Sequence, residues 1–165
     1  MAFVSPPTIC SNLVKLIPTA TRYHFGVLTS VMHMAWLRQV GGRLESRYRY
    51  SAKLVYNNFP WPVDATAAQR RTVEERAEAV LGARKQYLEA GQTLSDLYDP
   101  LYMPESLLDA HRALDRAVDK CYRRTEFKSE RERVEFLFIL YETLTSPLAQ
   151  ASHAPPPRRK ATRKT

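Results

Sequence analysis

Residues 42–62, GRLESRYRYSAKLVYNNFPWP, form the most informative stretch of the chain, with four Lys or Arg residues, one carboxylate and five aromatic rings. Arginine and tyrosine alternate over residues 47–50. Successive side chains of a β-strand point to opposite faces of the sheet. We therefore predict a strand on which Glu45, Arg47 and Arg49 share one face.

Two interpretations of this strand are open. Arginine donates two parallel hydrogen bonds to guanine O6 and N7, and glutamate accepts one from cytosine N4. The face of Glu45, Arg47 and Arg49 is thus a candidate base-reading surface. The same alternation is also typical of an ordinary exposed strand with cross-strand ion pairs. Three other basic residues are candidate contacts for DNA phosphates: Arg38, Arg43 and Lys53.

Charge is distributed unevenly along the 165 residues, whose net charge is +8. Residues 1–62 hold seven Lys or Arg residues and one acidic residue, whereas residues 63–154 hold 13 basic and 16 acidic residues. The tail from Pro155 adds five more cations. Because the basic excess coincides with the Arg/Tyr strand, it favours a nucleic-acid-binding face in the first third of the chain.

Several classes of protein and site are excluded by the sequence. No run of about 18 apolar residues is present, so we predict no membrane partner, and the N-terminus lacks the pattern of a signal peptide. Cys10 and Cys121 lie far apart without CxxC spacing, which is typical of free thiols in a reducing compartment. We therefore predict a cytoplasmic protein. The four histidines share no ligand spacing, so no metal site is predicted.

The periodicity predicts an α+β, mostly α fold: an incomplete strand-containing subdomain, a small three-helix bundle and a disordered basic tail. In the first part we expect a short strand over residues 13–17, a loop or edge strand over 21–28 and a helix over 30–40. These elements are typical of the middle of a fold and include too few strands to close a sheet. We therefore expect the chain to start partway through a domain.

Three amphipathic helices are predicted in the second part. The first begins at the capping box Thr66-x-x-Gln69 and runs to Gly91. The second opens at Pro104, and the third begins at a Ser-x-x-Glu capping box and ends before Pro147. Helices of similar length joined by fairly short loops are typical of a small bundle.

Two unusual motifs, YNNFPWP at residues 56–62 and LYDPLYMP at residues 97–104, carry a family resemblance. With the sequence between residues 11 and 144, they resemble the C-terminal end of MmeI-like DNA methyltransferases, which are restriction–modification proteins of the type IIG and related kinds. The resemblance implies the end of a target recognition domain and a helical C-terminal domain, and the tail that its composition predicts to be disordered follows them. The expected boundaries are residues 1–62, 63–147 and 148–165.

The resemblance implies that Glu45 and Arg47 contact bases in the major groove, with Arg49 as a further candidate. Members of the family that carry Lys and Asp at the first two positions would suit the reversed base pair. The function so implied is target recognition within a site-specific DNA adenine-N6 methyltransferase, with double-stranded DNA as the partner. A separate chain carrying the methyltransferase core is a second expected partner.

We expect no catalytic residue and no S-adenosylmethionine site in this chain, although the full-length family uses that cofactor. Its site requires a Gly-rich turn between a strand and a helix, whereas Gly41-Gly42 follows a predicted helix. In Asn58-Phe59-Pro60-Trp61 a ring separates the asparagine from the proline, so the Asn-Pro-Pro-aromatic geometry of adenine methyltransferases is not available.

Phe59 and Trp61 are predicted instead to clamp the recognition part onto the helices. The alternative function is a non-catalytic structural remnant or a helical protein-docking module without specific DNA binding.

Overall fold

The structure is a computed structural model and describes residues 1–4, 7–11 and 14–152. It is α+β and mostly α, as predicted. The elements are α1 (Arg22–Thr29), α2 (Val31–Val40), β1 (Gly42–Leu44), β2 (Arg47–Arg49), a π-helical turn (Ala52–Tyr56), α3 (Ala67–Glu89), α4 (Leu94–Leu97), α5 (Glu105–Tyr122) and α6 (Glu130–Ser152). Most of the predicted disordered tail, from residue 153 onward, lies outside the described residues.

The first described helix, α1, replaces the loop or edge strand that the mixed sequence over residues 21–28 predicted. The backbone N–H of Thr21 donates to His24 Nδ1 at 3.2 Å, and the Thr21 hydroxyl lies 2.9 Å from the same nitrogen. A histidine therefore serves where the usual capping box has Glu or Gln. The prediction was wrong because neither this cap nor the tertiary packing of the helix is visible in the local periodicity.

Gly26 allows α1 to lie directly against α3 and α5. A Cβ atom at this position would lie 2.7 Å from Val73 Cγ1 and 3.2 Å from Leu114 Cδ1, and both of these neighbours are fully buried. The missing side chain is therefore what sets the distance between the helices.

The helix α2 confirms the prediction for residues 30–40. Its first N–H group, that of Val31, donates to Asp115 Oδ1 of α5 at 2.9 Å, so a side chain distant in sequence caps it. The strand predicted over residues 13–17 was wrong, because residues 14–17 are irregular. The sheet that the described residues form has two strands, β1 and β2, and no strand lies beside residues 14–17 to pair with them.

The capping box that opens α3 is present, with Gln69 N–H donating to Thr66 Oγ1 at 3.3 Å and Thr66 N–H donating to Gln69 Oε1 at 2.8 Å. Helix α5 begins after Pro104, as expected. Helix α6 does not stop before Pro147 but continues to Ser152. A single proline removes one backbone hydrogen bond and does not necessarily end a helix, which explains the difference.

The packing of the helices differs in detail from a simple three-helix bundle. Helices α3 and α5 pack together and α1 lies against them, while α6 packs chiefly on α2. Arg133 of α6 also forms a bidentate ion pair with the buried Asp119 of α5, at 3.1 and 2.5 Å, which ties α6 to the α3–α5 pair.

One hydrophobic core joins the two predicted domains. Buried side chains of α1 and α2, such as Phe25 and Trp36, belong to the same cluster as Val80 of α3 and Leu114 of α5. The helices that precede the basic hairpin are therefore packed into the helical part. In the described part of the chain, no helix combines the length and apolar character needed to cross a membrane.

We predict that Gly26→Ala lowers the free energy of unfolding by about 1–3 kcal/mol, because the added methyl group must displace buried neighbours. The control is Gly82→Ala in α3, where an added Cβ meets nothing within 4 Å. That change should raise stability by about 0.5–1 kcal/mol through helix propensity. Denaturant titration measures both, and equal effects at the two positions would contradict the close helix packing.

Candidate nucleic-acid interface

The basic stretch forms a two-stranded antiparallel hairpin rather than one strand. Its register pairs Gly42 with Arg49, Arg43 with Tyr48, and Leu44 with Arg47. Glu45 and Ser46 form the turn, so the prediction that Glu45 shares a strand face with the arginines was wrong. Glu45 has a φ of 57°, a left-handed conformation that favours glycine. The turn was missed because its sequence contains no glycine or asparagine.

The hairpin presents two different exposed faces. Residues paired directly across an antiparallel ladder point to the same side, so Leu44 lies beside Arg47 on one face, and Arg49 follows two residues along. On the other face, the Arg43 guanidinium lies over the Tyr48 ring, 4.9 Å from its centroid. The structure thus brings Arg47 and Arg49 together and places Arg43 on the opposite side.

The base of the hairpin is anchored in the core through Tyr50. Its hydroxyl lies 3.0 Å from Nε2 of the buried His33 in α2. The His33 ring in turn packs perpendicular to the ring of Phe59, with centroids 4.5 Å apart. Burial raises the pKa of Tyr50 to about 12 and lowers the pKa of His33 to about 4. Both groups are therefore neutral near pH 7 and hold the strand end without an ionic contact.

The π-helical turn after the hairpin is held by three side chains, the first of which is Ser51, whose Oγ accepts from the Leu54 N–H at 3.3 Å. Trp36 Nε1 donates to the Val55 carbonyl at 3.1 Å, and the Asn58 amide donates to the carbonyls of Lys53 and Leu54 at 3.0 and 3.3 Å. Asn58 thus closes the end of the turn, a role that the motif alone did not indicate. Lys53, a predicted phosphate contact, is exposed on this rigid turn.

The ring contacts of Phe59 and Trp61 are with α1 and α2, within residues 1–62, whereas the prediction had these rings clamp the recognition part onto the later helices. Phe59 is buried among rings of α2, and Trp61 packs at 5.6 Å from His24 of α1. The Tyr122 hydroxyl of α5 donates to the Pro60 carbonyl at 3.1 Å. The chain is thereby fixed to α1, α2 and α5 immediately after the hairpin and the turn.

The basic side chains of the hairpin have no carboxylate partner among the described residues. Arg43, Arg47 and Arg49 form no ion pair there, and neither does Lys53. The cross-strand ion pairs of the ordinary-strand interpretation are therefore not formed by this part of the chain. Arg38 differs, because its guanidinium is paired with Glu130 of α6.

A buried arginine that the sequence did not reveal lies away from the hairpin. Arg84 of α3 is 5% exposed and donates to the Tyr98 hydroxyl at 2.6 Å and to the Met1 carbonyl at 2.8 Å. The Tyr98 hydroxyl also lies 2.6 Å from His111 Nε2. Position 84 follows Val73, Ala77 and Val80 on the inner face of α3, which is the signal that could have revealed it.

Comparison with known proteins identifies the family. The family model described as "MmeI, C-terminal domain" matches residues 65–149, and the model described as "MmeI, target recognition domain" matches residues 1–63. The chain belongs to the MmeI family. The resemblance carried by the YNNFPWP and LYDPLYMP motifs is thus confirmed.

Two similar proteins show how much of each relative the chain covers. DNA methyltransferase A of Bacillus subtilis (strain 168) is 42% identical over 145 residues, which are 88% of this chain and 16% of the relative. A solved structure of the Type IIL restriction-modification enzyme MmeI in complex with DNA is 50% identical and has a TM-score of 0.74. That match covers 79% of this chain and 17% of the enzyme. The chain therefore spans about a sixth of the length of these relatives.

We predict that His33 makes folding stability depend on pH. Burial lowers the pKa of His33 to about 4, from 6.5 in the unfolded chain. The stabilisation that results is therefore complete above pH 6.5, and it is lost as the pH falls towards 4 and the unfolded chain binds a proton that the folded chain does not. Between pH 6.5 and pH 4, the unfolding free energy of His33→Phe should fall by about 2–3 kcal/mol less than that of the unsubstituted chain. Denaturant titrations at a series of pH values measure the difference.

The matched control is Tyr50→Phe, which removes the hydroxyl partner and keeps the buried imidazole. Its pH dependence should resemble that of the unsubstituted chain. Asp115 titrates in the same interval, because burial raises its pKa to about 6, but it is present in every variant compared. An identical pH dependence with and without His33 would contradict the assignment.

Proposed function

We propose that this chain is the DNA-recognition part of an MmeI-type site-specific methyltransferase and that its hairpin reads bases in the major groove. Arg47 and Glu45 are assigned to one G·C pair, with Arg49 as a further base contact. The observation that carries the proposal is a two-stranded ribbon whose strand residues are all exposed and whose arginines have no acidic partner among the described residues. The family membership and the DNA-bound relative support it.

The dimensions of the hairpin suit this role. The major groove is about 12 Å wide and admits a two-stranded β-ribbon. Arg47 and Arg49 lie on one face two residues apart, which corresponds to about 7 Å along a strand and to roughly two base-pair steps. Glu45, in the turn, lies at the leading end of the ribbon.

The phosphate contacts are assigned to Arg43 and Lys53. Arg43 lies on the other face of the hairpin, and Lys53 is exposed on the π-helical turn beyond its base, so both flank the proposed reading face. Arg38 was predicted to share this role. It would first have to leave Glu130, and we therefore assign it a smaller contribution.

The methylation reaction is assigned to the whole enzyme and not to this chain. S-adenosylmethionine sites of the Rossmann type lie at the carboxyl ends of parallel strands, whereas the sheet of the described residues is an exposed antiparallel hairpin. These residues do not fit the cofactor. The adenine-N6 methyl transfer would require a methyltransferase core, in the same or a separate chain. A DNA substrate for that reaction agrees with the predicted cytoplasmic location.

The test is DNA binding measured as a function of salt. We expect the chain to enrich a preferred site from a library of randomised duplexes, and Arg47→Ala/Arg49→Ala to lose this preference. Each lost bidentate contact removes about 1–3 kcal/mol of discrimination between bases. The slope of log K against log salt should change little. In Arg43→Ala/Lys53→Ala the preference should remain and the slope should become shallower, by about 0.9 for each lost phosphate contact.

The control for net charge is Arg76→Ala/Arg116→Ala, which removes two arginines from α3 and α5, away from the hairpin. It should preserve the site preference. If this control weakens binding as much as the hairpin variants do, only general charge attraction is present. If neither the unsubstituted chain nor any variant binds DNA, the proposal fails and the helical docking module becomes the better account.

Glu45 provides a separate test because its conformation and its chemistry can be changed independently. Glu45→Gly should keep or raise the unfolding free energy, by up to about 1–2 kcal/mol, since the left-handed φ then costs nothing. The same change should relax the preference at one base pair of the enriched site. A loss of preference with full stability identifies a lost contact, whereas an unchanged preference would show that Glu45 contacts no base.

A further inference from the structure

The hairpin carries one aliphatic side chain, that of Leu44, and nothing among the described residues covers it. Leu44 is 67% exposed at the end of β1. Single exposed leucines are common on protein surfaces and need no explanation by themselves. This one differs in its position, because the ladder places it directly across from Arg47, on the face proposed to read bases.

From this position we infer that Leu44 reads the 5-methyl group of a thymine beside the guanine bound by Arg47. The inference rests on the proposed function and adds a second kind of recognition to the same face. Thymine is the base that presents an apolar group in the major groove, and apolar side chains contact it there. Leu44 would therefore be a specificity-determining residue that acts by burial of a methyl group.

The spacing on the face agrees with contact to a neighbouring base. Directly paired side chains have Cβ atoms about 4.5–5.5 Å apart, and adjacent base pairs are about 3.4 Å apart. Because the strands run along the groove in the proposed orientation, the separation of the paired side chains lies across the groove, and Leu44 faces the base pair read by Arg47 or the one next to it. Gly42, across from Arg49, has no side chain and no atom within 4 Å of a Cβ built there, which leaves that side of Leu44 open.

The surroundings favour DNA over an apolar protein surface as the partner of Leu44. Its neighbours Arg43, Arg47 and Arg49 are exposed cations without ion-pair partners among the described residues. Arg43 lies on the opposite face, so an apolar partner on the Leu44 face would bury the charges of Arg47 and Arg49 at a large desolvation cost. A DNA groove supplies both the negative potential that the arginines require and a methyl group for the leucine.

The test compares thymine with uracil, which differ only by this methyl group. Starting from the duplex enriched by the unsubstituted chain, each thymine is replaced in turn by deoxyuridine, and the affinity is measured at fixed salt. We expect one position at which the replacement weakens binding roughly fourfold, the value typical of one buried methyl or methylene group. Leu44→Ala should bind the thymine duplex less tightly and show no further loss with uracil at that position.

The control variant is Leu54→Ala, which removes an exposed leucine, 56% accessible, from the π-helical turn. It should retain the full difference between thymine and uracil. Two results would overturn the inference: indifference of the unsubstituted chain to every replacement, or an undiminished effect of uracil in Leu44→Ala.

The inference and the proposed function fail in different ways. In one outcome, Arg47→Ala/Arg49→Ala abolishes the site preference, but no thymine-to-uracil replacement has an effect that Leu44→Ala removes. Base reading then stands and the methyl contact is refuted. If the chain enriches no site from the library, both are refuted together. A protein partner for Leu44 would appear as the first of these outcomes.

Discussion

The hydrogen bond of the Trp36 indole is the contact on which the rest of the structure depends. Its buried N–H donates to the Val55 carbonyl at 3.1 Å, and its ring packs 5.3 and 5.8 Å from Phe138 and Tyr141 of α6. A buried indole N–H must find an acceptor, so one side chain fixes the π-helical turn to α2 while holding α6 in place. The π-helical turn follows the hairpin directly in sequence, so this arrangement also fixes the position of the hairpin base.

The contrast between the two ends of the hairpin suits the recognition role proposed for it. At its base, Tyr50 is tied to His33 within a set of buried rings. At its tip, every side chain is exposed. A reading face must be held by a rigid support yet keep its own side chains free for the partner. The uncharged contacts at the base also leave the positive potential of Arg47 and Arg49 unopposed there.

The sequence predicted the elements whose signals are local, and it missed those fixed by tertiary contacts. Thr66 and Gln69 predict the start of α3, because a capping box is complete within four residues. By contrast, α1 depends on the fit of Gly26 between buried neighbours, which no local pattern contains. In the candidate site, the alternation correctly placed Arg47 and Arg49 on one strand face, but a turn at Glu45 without glycine could not be predicted from propensities. Leu44 was overlooked because its partner across the ladder is known only from the register.

The π-helical turn has a consequence for how this segment tolerates changes in length. Its backbone bond from Asn57 N–H to the Ala52 carbonyl spans five residues, one more than in an α-helix. Deleting one residue would allow a regular helical turn and would rotate the downstream backbone by about 100°, a residue's share of 3.6 per turn. The Asn58 amide would then no longer reach the carbonyls of Lys53 and Leu54, and Phe59 would lose its contacts with the rings of His33 and Trp36. Insertions and deletions should therefore accumulate at the hairpin tip and be absent from the turn below it.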